Sequence, residues 1–141
     1  MNGNESGCSV AEWVKIWYYR QDFSNLDFDQ TVYDCLKQAS DEDIWEQVLR
    51  ATAAWFIITG EIMKTRIWDL SEWQKGLVAF CRLVFMKHGI LILDEPTNHI
   101  NFRHIPVIAK ALDQFEGWMI LVSHVQEFVW QVRIDQYLDL E

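Results

Sequence analysis

Long apolar runs, paired cysteines and an excess of positive charge are missing from this 141-residue chain, and proline is scarce. No apolar stretch reaches the ~18–20 residues that a membrane span needs, which argues against a transmembrane helix. Residues 1–10 are polar and lack a basic-then-apolar signal pattern, so nothing points to secretion. The three cysteines, Cys8, Cys35 and Cys81, are odd in number and far apart, with no CxxC pair. That fits free thiols in a reducing, cytoplasmic setting and gives no thiolate framework for zinc. His88, His99, His104 and His124 lack metal-ligand spacing, so no histidine metal site is expected. Twelve basic residues against 21 acidic ones leave a net charge of −9. A bare nucleic-acid binder needs clustered Lys and Arg, and is therefore disfavoured. No internal repeat or low-complexity segment is present.

What is there is a globular balance, with half the residues apolar and 23% charged. Two prolines is few for this length, and eight tryptophans is several times the usual number. Residues 14–19 (VKIWYY) read as a strand, and 21–29 as a polar loop. Helical spacing follows over 31–38, then over about 43–58, with acidic residues where a helix start welcomes them and Gly60 as the expected stop. Ser71 with Gln74 forms a capping-box pattern opening a helix to about residue 87. Gly89 breaks it, together with His88. Residues 90–93 form a continuous aliphatic run, as a buried parallel strand requires. A helix over 102–115, a second buried strand over 118–122, a short helix over 125–132 and a last strand over 134–139 complete the chain. The expected fold is a single α/β domain, a mainly parallel sheet flanked by helices. Residues 30–88 form its helical subdomain, and 89–141 its α/β core.

The chemistry concentrates at Asp94 and Glu95, delivered by the strand 90–93 to its C-terminal end, where open α/β sheets bind ligands. One carboxylate can hold Mg²⁺ and the next can orient a water. A solvated turn through Pro96 is the alternative for the bare pattern.

ILILDEPTNHI, with MILVSH about 20 residues later and LSEWQKGLVAFCRLV before it, resembles the ATP-binding-cassette ATPases. The resemblance is closest to the ABC-F class, whose members work on the ribosome, and covers about residues 15–140. It implies Mg-ATP as cofactor and a set of roles. Asp94 matches the Walker B aspartate acting on Mg²⁺, and Glu95 the catalytic glutamate. His124 matches the switch histidine, and Gln21 the Q-loop glutamine. Leu70, Ser71 and Gln74 match the remains of the signature, and residues 98–101 the D-loop. Taken singly, Gln21 reads as a loop residue, His124 as a strand-end histidine, and Ser71 with Gln74 as a helix cap. A nucleophilic triad of Ser123, His124 and Asp94 is discounted, since no GxSxG elbow exists.

The departures from that family pattern matter as much. No GxxxxGK[ST] phosphate loop occurs in the 141 residues; residues 2–7 come nearest and hold no lysine. LSGGQ reads LSEWQ, so Glu72 and Trp73 stand where glycines admit a phosphate. Asn101 replaces the D-loop aspartate, and Val125 the acidic residue after the switch histidine. Each lost charge-assisted hydrogen bond is worth ~1.5–3 kcal/mol. The chain alone is therefore expected to be ATPase-inactive, with Asp94, Glu95 and His124 vestigial. Trp68 and Trp73 flank the altered signature; Trp17, Trp55 and Trp118 lie near element ends. They fit either aromatic cover for an exposed core or an added surface for a protein partner or self-association. Both readings suggest an engineered or cut-down domain; core residues of a natural degenerate domain are the alternative.

Overall fold

Leu91 and Leu93 are completely buried, and the strand that carries them lies at the centre of a three-stranded sheet. In the computed structural model, which describes residues 14–19, 22–40, 42–86, 89–98, 100–115, 117–136 and 138, this strand is β2 (Ile90–Asp94). It pairs in parallel with β1 (Ile16–Tyr19) on one side and β3 (Trp118–Val122) on the other. The expected α/β architecture with a parallel sheet is present. Two glycines let the strands start close together. Gly89 has φ +123°, and a Cβ there would sit 2.2 Å from the Lys15 carbonyl oxygen. A Cβ on Gly117 would sit 2.3 Å from the Gly89 oxygen. The ladder begins at this point: Ile90 N–H donates to Lys15 O (2.9 Å) and Trp118 N–H to Gly89 O (3.0 Å).

Spatial order follows chain order, β1-β2-β3. With right-handed crossovers, such an order sends both connections across the same face. Burial agrees: Tyr19, Leu91 and Leu93 face one core together with Val78, Phe80, Ile105 and Ile108. Tyr19 stacks on Phe80 with centroids 4.7 Å apart. The other face is uncovered among the described residues, so residues 118–122 form the expected strand but not a buried one. Trp118, Ile120 and Val122 are exposed. An aliphatic run shows that a strand has apolar faces; whether a second layer exists to cover both is a property of topology.

The regular elements of the first crossover are all helical among the described residues, after a loop over 22–30. Thr31 caps α1 (Val32–Ala39), accepting from Asp34 N–H at 3.2 Å. Helix α2 (Glu46–Trp55) starts later than expected and ends before Gly60. Its last turn closes in a Schellman arrangement: Ile57 N–H donates to Ala54 O and Ile58 N–H to Ala53 O, both at 3.0 Å. The left-handed position is filled by Ile57 (φ 61°), while Gly60 opens α3 (Gly60–Lys64) behind the Thr59 cap. A helical turn at Ile67–Asp69 leads to α4 (Glu72–Phe85), whose Ser71–Gln74 capping box is complete. Cys35 and Cys81 are free thiols in the core, and burial pushes both thiol pKa values up. Cys8 lies outside the described residues.

The second crossover is α5 (Ile105–Asp113), entered through a turn at Phe102–His104 that Asn101 caps, with Pro106 in its first turn. Helix α6 (Gln126–Gln131) follows β3. The expected strand over 134–139 is absent among the described residues 134–136 and 138. Arg133 N–H donates to Asp113 Oδ1 (2.8 Å), which fastens this segment to the end of α5 instead of the sheet edge. Gly89→Ala should therefore lower stability by about 1–3 kcal/mol, through strain and collision with Lys15. Ile57→Gly should be neutral or stabilising, because it relieves a β-branched residue at positive φ. Urea unfolding of both variants measures the contrast.

Candidate functional site

Asp94 is the last residue of β2 and is exposed at the C-terminal edge of the sheet. Glu95 follows in the left-handed region (φ 46°) while its N–H still donates to Val122 O at 2.8 Å. The chain thus bends sharply without breaking its pairing to β3. Asn98 N–H then donates to Glu95 O (3.1 Å) and Ile100 N–H to Thr97 O (3.1 Å). On the neighbouring strand, Ser123 Oγ accepts from Val125 N–H (3.1 Å), which turns the chain from β3 into α6. His124 lies in that turn. Its Nδ1 stands 2.8 Å from Glu95 Oε1.

This pair joins two residues 29 positions apart. With Glu95 ionised, Nδ1 carries the shared proton, and Nε2 of a neutral ring becomes the outward acceptor. Glu95 is mostly covered and His124 mostly exposed, so the carboxylate is the fixed member and the imidazole faces solvent. A held carboxylate and an oriented imidazole at a sheet edge can position a water or contact an anion. Asp94 supplies a solvent-facing carboxylate beside them. Mg²⁺ takes one or two carboxylates and fills its other positions with water or phosphate, so this donor fits the ion.

The signature residues sit elsewhere in the fold and do other work. Ser71 N–H and Oγ both bond to Gln74 Oε1 at 3.0 Å, and Gln74 N–H returns to Ser71 Oγ at 3.4 Å. Ser71 and Gln74 are thereby committed to each other, and among the described residues no hydrogen bond links them to Glu95 or His124. Glu72 pairs with Lys75 at 3.2 Å. The start of α4 is thus acidic and its nearest cation engaged, which does not fit a phosphate. Trp73 stacks on His104 (4.8 Å, 9° between planes), fastening α4 to the turn that opens α5. Trp68 is 69% exposed beside Phe28. The two flanking tryptophans therefore differ: one is packing, the other surface. Trp17 packs against the core, while Trp55 and Trp118 are exposed. Gln21 lies outside the described residues. Two things escaped the sequence reading. The Trp73–His104 stack joins residues on separate elements and leaves no local pattern. The bend at Glu95 is hidden because a non-glycine residue adopts positive φ.

No family model matches the chain. Curated relatives do, and three of them serve as examples. The "Probable ATP-binding protein YbiT" of Escherichia coli O157:H7 is 35% identical over 120 residues, which is 84% of this chain and 23% of that protein. "ATP-binding cassette sub-family F member 2" of Mus musculus is 33% identical over 120 residues, 84% of this chain and 19% of its own length. "ATP-binding cassette sub-family F member 3" of Mus musculus is 32% identical over 117 residues, 82% and 16%. The chain thus spans about a fifth of the length of the curated relatives it matches. Among the described residues no helix is long and apolar enough to cross a membrane.

Ser71→Ala should lower stability by about 1 kcal/mol by opening the capping box. Thermal unfolding checks the cost, and a negligible change would show that the Ser71–Gln74 bonds do not hold the start of α4.

Proposed function

Since this chain is an ABC-F ATPase-domain sequence by homology over 84% of its length, we propose that Glu95 and His124 are its catalytic glutamate and switch histidine, and Asp94 its Mg²⁺ carboxylate. The observation that carries this is the 2.8 Å Glu95–His124 pair at the sheet edge. Bound Mg-ATP would supply the electrophilic phosphorus and a cation that neutralises developing charge. Glu95 holds a water by accepting its proton-bearing side, and the turn at residues 95–98 fixes the carboxylate for that role. His124 presents its solvent-facing ring nitrogen to an anion.

On its own, the 141-residue chain binds Mg-ATP weakly and does not turn it over. It contains no GxxxxGK[ST] loop, and the start of α4 presents Glu72 and a committed Ser71–Gln74 pair. The family resemblance gives Gln21 the Q-loop role in this reading. The setting is cytoplasmic. A second reading, a non-enzymatic interaction module, is favoured by one observation: Trp68 projects into solvent next to the altered signature.

Calorimetric titration with Mg-ATP tests the proposal, with Glu95→Gln as control. The expected result is a dissociation constant of about 1 mM or weaker for both proteins. Saturable micromolar binding would overturn the claim of weak binding, and a steady release of phosphate abolished by Glu95→Gln would overturn the claim of inactivity.

A further inference from the structure

Both crossovers run over one face of the sheet, so the opposite face is left bare among the described residues. Alternation along each strand brings Ile16 and Tyr18 of β1, Ile90 and Ile92 of β2, and Trp118, Ile120 and Val122 of β3 to that face. The register makes these residues contiguous. Ile16, Ile90 and Trp118 form one row, and Tyr18, Ile92 and Ile120 the next. Trp118 is 82% exposed, Ile120 55% and Ile16 51%. Asp94, at the C-terminal end of the central strand, is the one charged strand residue on this face. Parallel sheets are ordinarily covered on both faces, and an apolar patch this continuous is unusual on a monomer.

We propose that this face is a self-association surface, closed by a second copy of the chain packed sheet against sheet. Size is the first argument. Ile16, Tyr18, Trp118, Ile120 and Val122 are 47–82% exposed, which is about 600 Å² per copy, so a pair that covers them would bury about 1,200 Å², at the lower end of specific, stable interfaces. Shape is the second. A nearly flat, twisted apolar sheet is self-complementary, and two such sheets stack about 10 Å apart with interleaved side chains. A twofold axis across the strands places the two Asp94 carboxylates at opposite ends. Charge is the third. The chain carries −9 and the face has no basic strand residue, so anionic membranes and nucleic acids are repelled. The same charge makes the two copies repel at long range, and added salt therefore tightens the pair. The face borders the nucleotide reading at Asp94 alone, does not rest on that reading, and does not involve Trp68.

Analytical ultracentrifugation of the 141-residue chain is the test. A concentration-dependent dimer is expected, strengthened by salt. Ile120→Lys and Trp118→Gln should each weaken it about tenfold or more, while Trp68→Ser leaves it unchanged. Trp118 gives up little monomer packing when replaced, so Trp118→Gln decides the matter if Ile120→Lys fails to fold. A strictly monomeric chain overturns the proposal. So does a dimer that survives Trp118→Gln, one that Trp68→Ser abolishes, or an open-ended series of larger species.

Discussion

The pairing of β2 between two parallel neighbours is the constraint on which the rest of the molecule depends. Its inner residues, Leu91 and Leu93, anchor the core that α4 and α5 share. Its register is set where Gly89 passes within contact of Lys15 and Gly117 within contact of Gly89. That register puts Asp94 beside Val122 and carries the ladder one residue further, to Glu95. The Glu95–His124 pair is therefore a consequence of strand pairing. Neither residue's own loop would bring them within 2.8 Å of each other.

The same pairing separates the chemistry into two places. The sheet edge holds a carboxylate, an imidazole and a second, exposed carboxylate. The start of α4 holds a closed capping box, an ion pair between Glu72 and Lys75, and an indole stacked on His104. Those contacts stabilise the helix and fasten it to α5. They also occupy the donors that an incoming anion would need. Local stability and phosphate recognition compete for the same groups there, and stability has them.

Much of this was legible in the sequence, for reasons that differ by element. The run ILIL read as a buried parallel strand; the strand is there, at the centre of the sheet, with Leu91 and Leu93 buried but Ile90 and Ile92 only half-buried on the uncovered face. Ser71 and Gln74 announced a helix start, since both halves of a capping box lie within one turn. The glutamate and histidine were singled out separately through the family resemblance, and their direct contact was not legible, because nothing local links positions 29 apart. The failures have physical causes too. Gly60 looked like a helix stop, yet the left-handed position fell to Ile57 three residues earlier, held by two Schellman hydrogen bonds. The strand at 118–122 looked buried, but coverage of its outer face depends on strand order, which composition does not encode. Residues 134–136 carry an apolar start but are drawn to Asp113 through Arg133. Trp68 and Trp73 looked alike in sequence and diverge only because His104 lies within stacking reach of one of them.

Native-state hydrogen exchange, read residue by residue, tests the central role of β2 most directly. The account predicts that the amides of Leu91, Leu93 and Glu95 exchange as slowly as the slowest in the chain, through global unfolding. It also predicts that those of α4 and α5 open together with them. Fast exchange along β2 with α1 to α4 still protected would contradict it, because the helical half would then stand without the strand that is said to organise it.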